Sequence, residues 1–265
     1  MMKKLKKTAQ GSQYARRALL AFVCWFSMPA SAAMVYYDFQ GTGPVGSEWT
    51  TTAASGIHIT SAPNPDYEGN RKFLGEYGND TLTLSLGGLS PHTVATVSFS
   101  LYLIRSWDGN ETEVVNGDPL GPDVWTLSVA GGPLLSTTFS NGGTVGQAYA
   151  PTPFAAGCTG YNLSGLPAGE FNPMTGASEC YSLGYEFGSL SVPEEAMDSV
   201  YNLSFTFAHS ADNLALNFSA IGLQGILDES WGLDNVRVDA VPVPAAVWLF
   251  GSGLLGLIGV ARKKK

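Results

Sequence analysis

The residues of this chain best suited to chemistry are carboxylates, and two groupings of them stand out by their neighbours. In the run Trp231-Gly-Leu-Asp-Asn-Val-Arg-Val, a strand period of two puts Asp234 on the face of Val236 and Val238, with Asn235 and Arg237 on the other. An ionised carboxylate on a core face needs a partner or a metal. Asp38, in Tyr36-Tyr37-Asp38-Phe39, stands on the first candidate strand, and in a sandwich the first and last strands often lie together. Oxygens of Asp38 and Asp234 could hold a structural calcium that ties the two ends of the domain; a hydrogen-bonded buried aspartate is the alternative.

The second grouping is Ser106-Trp107-Asp108-Gly109-Asn110-Glu111, followed by Asp118 and by Asp123-Val124-Trp125. Asp and Asn with Gly in a loop can wrap a calcium ion, and an adjacent Trp can stack on a sugar face. Trp107, Asp108, Asp123 and Trp125 therefore form a candidate ligand loop. The spacing is not that of an EF-hand, because the spaced carboxylates and the closing Glu are missing. A turn beside a buried Trp is the plainer reading. Signals of catalysis are absent: His58, His92 and His209 stand apart, and there is no HExxH, nucleophile elbow or phosphate-binding glycine loop. Among the 22 acids no spacing selects a glycosidase pair.

Strands must position these residues. In Thr81 to Leu86 the leucines 82, 84 and 86 share one face, and Ala95, Val97, Phe99, Leu101 and Leu103 repeat the pattern, as do Tyr201, Leu203, Phe205 and Phe207. Further strands are expected at 35–40, 57–60, 124–129, 134–139, 190–192, 214–219 and 231–238, separated by turns such as Gly87-Gly88, Asp108-Gly109 and Gly131-Gly132. This predicts an all-β domain, a two-sheet antiparallel sandwich of jelly-roll-like type. Residues 141–181 break the pattern, being rich in Gly, Pro, Ser, Thr and Asn without periodicity. Cys158 and Cys180 offer a reason, since a disulfide between them would close a loop worth roughly 3 kcal/mol on the loop-entropy model; two unpaired thiols are the alternative.

Both ends of the chain carry targeting features. From Ala245 to Ala261 run seventeen residues without a charge, at the short end of a membrane-spanning helix, and Arg262, Lys263, Lys264 and Lys265 follow at once. Pro242 and Pro244 mark an extended break before that helix. The whole tail, VPVPAAVWLFGSGLLGLIGVARKKK, resembles the PEP-CTERM sorting signal of Gram-negative bacteria, also catalogued as an ice-binding protein C-terminal domain. It departs from that pattern in reading Val-Pro-Val-Pro where the family's name motif is Pro-Glu-Pro. The resemblance implies recognition by an exosortase, a membrane protease-transpeptidase, in a species that makes an exopolysaccharide. A permanent C-terminal anchor is the alternative. At the other end a basic region (Lys3 to Arg17), an apolar run (Ala18 to Met28) and Ala30-Ser31-Ala32 form a signal peptide. The organisation expected is 1–33 signal peptide, 34–240 exported domain and 241–265 sorting signal, with a transmembrane helix over 245–261 and a basic tail over 262–265. The exported segment WGLDNVRV, with Asp38-Phe39 near the start, also resembles the closing and opening strands of laminin-G-like, MAM-like and carbohydrate-binding jelly rolls, which again implies a sandwich.

Charge sharpens the picture. Only Arg71, Lys72, Arg105 and Arg237 lie between the two targeting segments, against all 22 acids, a formal balance of about −18. Such a domain repels nucleic-acid phosphates and attracts divalent cations, or is simply kept soluble by its charge. The expected protein is non-enzymatic, crosses the inner membrane by the general export machinery, is held briefly by its C-terminal helix, and ends at the cell surface or outside. There it would serve in exopolysaccharide or biofilm as a calcium-stabilised polysaccharide-binding module. A secreted glycan-active hydrolase and a purely structural or adhesion protein are the alternatives.

Overall fold

The computed structural model describes residues 33–242, apart from 42, 64–70, 144, 159–161 and 187–196. In chain order the strands are β1 (Ala33–Tyr37), β2 (Trp49–Thr51), β3 (Ile59–Ser61), β4 (Lys72–Tyr77), β5 (Thr81–Leu86), β6 (His92–Arg105) and β7 (Val114–Val115). They continue with β8 (Asp118–Pro119), β9 (Val124–Val129), β10 (Gly132–Thr138), β11 (Glu179–Cys180), β12 (Asp198–Ala208), β13 (Leu214–Ile221) and β14 (Glu229–Pro242). The described residues contain no helix, and none therefore that is long and apolar enough to cross a membrane. The predicted transmembrane helix, Pro244, the basic tail, the signal peptide up to Ala32 and the predicted strand 190–192 fall outside the described residues.

One sheet runs β11-β12-β6-β14-β4-β3, with β1 also on β14, and the other runs β10-β9-β13-β5-β2; the β7–β8 hairpin stands apart. Every pairing is antiparallel. From β4 onward the chain passes from one sheet to the other at β5, β6, β9, β11, β13 and β14, so the two sheets of the sandwich are wound together. The sheets face each other across aromatic side chains. Phe99 of β6 meets Phe218 of β13 at 5.3 Å, and Trp125 of β9 meets Trp231 of β14 at 6.2 Å. Edge and tilted geometries of this kind fit the ring quadrupoles and add to the burial of large apolar area.

Strands β5 and β9 begin and end where the alternation places them, because each is buried on one face. Strand β4 escapes the pattern. Its burial is nearly continuous, since Phe73 points away from the main core into a second apolar cluster with Tyr102, Ile104, Leu183, Tyr185 and Val200. A strand covered on both faces reads as neither alternating nor polar. The cover is the segment 182–185, held down by Asp198. Its Oδ1 accepts the backbone N–H groups of Ser182 (2.8 Å) and Leu183 (3.0 Å), and its Oδ2 those of Gly184 (3.0 Å) and Tyr185 (3.2 Å).

The same second face corrects the expected position of Asp234. Between Asp234 and Arg237 strand β14 carries an extra residue against β6, with Asn235 at a φ of 52°. A β-bulge of this kind shifts the alternation by one. Trp231 and Leu233 before it and Val236, Val238 and Ala240 after it all enter the main core. Asp234, opposite Ser100, therefore lies on the outer face beside Tyr102 rather than with Val236 and Val238.

Replacing Asp198 by Ala removes the acceptor for four amides at once and should destabilise the domain by roughly 2–4 kcal/mol. Denaturant titration reads the loss, and hydrogen exchange should speed at residues 182–185 before it speeds on β5 or β9. Unchanged protection of those four amides would contradict the role given to Asp198.

Candidate metal centre

Three carboxylates from distant parts of the chain meet at the pole where β14 begins. Asp108 lies in the turn after β6, where its carbonyl accepts the Glu111 N–H at 3.2 Å. Asp123 directly precedes β9, and Glu229 is the first residue of β14. Two glycines allow the approach. Gly109 has a φ of 66°, and a side chain there would meet the Gly146 carbonyl oxygen at 2.5 Å. Gly222, with a φ of 97°, lets the loop before β14 lie against the Pro122 carbonyl. One oxygen from each of Asp108, Asp123 and Glu229 lies within 4.8 Å of the other two.

Asp123 and Glu229 are fully buried, and Asp108 is half-buried. Few donors answer them. The Asp108 N–H donates to Asp123 Oδ2, and the Gln224 N–H donates to Glu229 Oε2 at 2.7 Å. The Gln224 side-chain amide, turned so that its nitrogen faces Glu229, donates to both of its oxygens at 2.7 Å. Asp123 Oδ1 has no donor. Burial drives all three carboxyls above the usual carboxylate range. Asp108 is pushed up to about 6 by burial, with the charges of Asp228 and Glu111 adding and a bond from Gln224 opposing. Asp123 is raised by burial and the Asp108 charge against the pull of its backbone donors and of a bond with the Glu229 carboxyl, and Glu229 is raised by burial, the Asp123 charge and that same bond.

No basic side chain relieves this crowding. Residues 34–240 hold four, all among the described residues. Arg71 pairs with Glu179 (3.0 Å), Arg105 with Glu76 (2.6 Å) and Arg237 with Asp239 (2.7 Å), while the Lys72 ammonium donates to the Gln40 carbonyl. The trio is left to share protons or to hold a cation, and its ligands are all oxygen.

Of the sequence-predicted site residues, Asp108 and Asp123 do come together, but their tryptophans do not serve a sugar. Trp107 and Trp125 are fully buried; the indole N–H of Trp107 donates to the Ser230 carbonyl at 2.8 Å, and Trp125 packs against Phe99, Phe218 and Trp231. Asp38 and Asp234 are near each other, with the first exposed and the second buried. Asp234 has the hydrogen-bonded setting: Tyr102 Oη donates to it at 2.9 Å, Gln40 Nε2 at 3.3 Å and the Asn235 N–H at 2.8 Å. Burial still pushes its carboxyl up to about 6. Cys158 and Cys180 form the disulfide, with Cα atoms 6.2 Å apart. Glu229 and Gln224 were invisible to sequence reasoning, since neither lies near the acidic loop in the chain. Two histidines that the sequence separates also meet, His92 Nε2 lying 2.7 Å from His209 Nδ1.

Beside the trio runs a groove of about 580 Å³, walled by the β7–β8 hairpin and the segment from Gly222 to Asp228. Asn116, Asp118, Gln224 and Asp228 give it polar groups, and Val115, Leu120 and Leu223 give it apolar ones.

No protein-family model and no curated protein matches the sequence. Two solved structures are similar over 79% of this chain. One is the CBM22-1 xylan-binding domain of Xyn10C from Paenibacillus barcinonensis, at 11% identity and a TM-score of 0.34 over 94% of that chain. The other is the K3 cleaved adhesin domain of Lys-gingipain from Porphyromonas gingivalis w83, at 12% identity and a TM-score of 0.29 over 99% of that chain. Likeness at this level bears on neither ligand nor mechanism.

The raised carboxyls give stability a definite pH dependence in the presence of a chelator. In the unfolded chain these groups lose their protons near pH 4, whereas in the folded chain Asp108 does so near 6 and the other two above their usual range. Between those limits the folded state binds more protons, so stability falls as pH rises. The melting temperature in chelator should therefore drop from pH 5 to pH 8. Glu229→Gln, which cannot ionise, should make the drop shallower; a drop as steep as that of the wild type would show that the trio is not its source.

Proposed function

We propose that this chain is an exported surface or matrix module, sorted through its tail by an exosortase, that presents a polysaccharide-binding groove at the pole farthest from that tail. The observation that carries the reading is the pairing of β1 with β14, in which Ala33 stands opposite Ala240. Both ends of the body thus leave from one pole. Strand β14 runs from there to Glu229 at the other, and eleven residues of strand at about 3.3 Å each separate the poles by roughly 35 Å. A module held through the tail would stand with the groove outward.

The groove's mixture of amides, carboxylates and apolar walls suits sugar hydroxyls and ring faces. The formal balance of about −18 selects against anionic polysaccharides and leaves neutral ones as the favoured class. A glycosidase site is not formed by the acidic trio, because Asp123 and Glu229 are sealed from solvent and no glycosidic bond can reach them. The disulfide fits an oxidising, exported setting.

Two measurements test the two halves of the proposal. Mass spectrometry of the mature protein from its own host should find a C-terminus between Pro242 and Ala246, and an intact Lys265 terminus would refute sorting. In co-sedimentation, neutral polysaccharides should retain the protein and strongly anionic ones should not. Asp118→Ala combined with Asn116→Gly, which keeps the φ of 55° at position 116 accessible, should weaken retention about tenfold without changing the melting temperature. Equal retention of the double variant would remove the groove from the binding surface.

A further inference from the structure

We infer that Asp108, Asp123 and Glu229 bind a divalent calcium ion that fastens the groove wall to the sandwich. The inference does not depend on sugar binding. It rests first on the geometry, three carboxylate oxygens within 4.8 Å of one another, drawn from the turn after β6, the approach to β9 and the start of β14. A second, independent observation is the state of Asp123. This side chain has no exposed surface, and while its Oδ2 accepts the Asp108 N–H, its buried Oδ1 has no donor. Buried carboxylate oxygens need partners, and each of the four basic side chains of the body is engaged elsewhere.

The donor set chooses the ion. Carboxylate oxygens, with a glutamine amide beside them, suit a hard cation; zinc favours nitrogen and sulfur ligands, and the two histidines that meet do so on strands β6 and β12's end, at the far pole. Calcium accepts six to eight oxygens in flexible geometry, whereas magnesium demands a near-ideal octahedron and keeps several waters, which a sealed site with two inaccessible carboxylates does not favour. Three negative charges around a divalent ion leave one in excess, partly met by the Asp108 N–H on Asp123 and the Gln224 N–H on Glu229.

The consequence is mechanical. Asp108 belongs to the turn after β6, Asp123 to the approach to β9, and Glu229 closes the segment 222–228 that lines the groove. An ion bound by all three fixes that segment against Pro122 and Asp123, so that groove shape and calcium occupancy become one property. Extracellular calcium modules bind at about 10⁻⁴ to 10⁻³ M, which makes the site a sensor of millimolar calcium outside the cell.

The test uses the full-length chain in mild detergent, freed of metal by chelator. Terbium, a calcium surrogate, should emit when the tryptophans are excited, because Trp107 adjoins Asp108 in the chain and Trp125 is two residues from Asp123. Calcium should quench that emission by displacement and raise the melting temperature by roughly 3–6 °C at about tenfold excess over Kd. Asp108→Asn, at the half-buried member, should weaken calcium binding at least tenfold while the protein still folds, and Asp123→Asn should do the same or more. Asp38→Asn should leave binding unchanged. The proposal falls if wild type shows neither terbium emission nor a calcium-dependent melting shift, if Asp108→Asn binds calcium as wild type does, or if Asp38→Asn is the variant that loses it.

Discussion

Strand β14 is the member on which the rest of this sandwich is hung. It enters at Glu229, leaves at Pro242, and along its whole length is paired with β6 on one side. On the other side β4 takes its first part, from Trp231 to Leu233, and β1 its last, from Val236 to Ala240. Between the two sits the bulge at Asn235, which turns the alternation over so that apolar residues on both sides of it reach the same core. Without that extra residue either Trp231 and Leu233 or Val236 and Val238 would be driven out of the interior. The bulge also decides where Asp234 goes. By shifting the register it places the carboxylate on the outer face, where Tyr102 and Gln40 donate to it.

Buried and half-buried carboxylates elsewhere in the domain follow the same rule, each with a different kind of answer. Asp198 collects four backbone N–H groups from one short segment, and Glu76 takes the Arg105 guanidinium and the Ser230 hydroxyl. Charge-assisted bonds of this sort are about twice as strong as neutral ones, enough for a short irregular segment to be held over a sheet. Against these cases the pole at Glu229 is different. There three carboxylates share a small number of amides, and the charges of Asp228 and Glu111, which act on Asp108, are of the same sign. The scarcity of bases is a property of the whole body, with its four against 22 acids, so the deficit cannot be met by a rearranged side chain.

How much of this was legible in the sequence depended on whether a residue's neighbours along the chain are also its neighbours in space. Strands β5 and β9 have one buried face and a polar one, and their alternation marks their limits. Strand β4 and the stretch Leu101 to Ile104 of β6 are covered on both faces, and continuous burial erases the period. The hairpin of β7 and β8 consists of two-residue strands, too short for any pattern, although it forms one wall of the groove. The acidic loop was visible as Asp108 and Asp123, but its tryptophans pointed the wrong way: a Trp next to an Asp in a loop reads the same whether it stacks on a ligand or fills a core. Glu229 could not be found, because what brings it to Asp108 is the register of β14 on β6, where it stands opposite Arg105.

That register also links the ends of the described body to its site. Pairing of Ala33 with Ala240 and of Pro242 with His92 gathers the start and finish of the body at one pole, and the same ladder carries Glu229 to the other. A single long strand therefore separates that pole from the acidic centre, and its pairing on β6 holds that separation. Sliding β14 by one residue would turn every one of its core side chains outward, and sliding it by two would cost the pairing at one end or the other. The distance between the two poles is thus set by the same contacts that build the core.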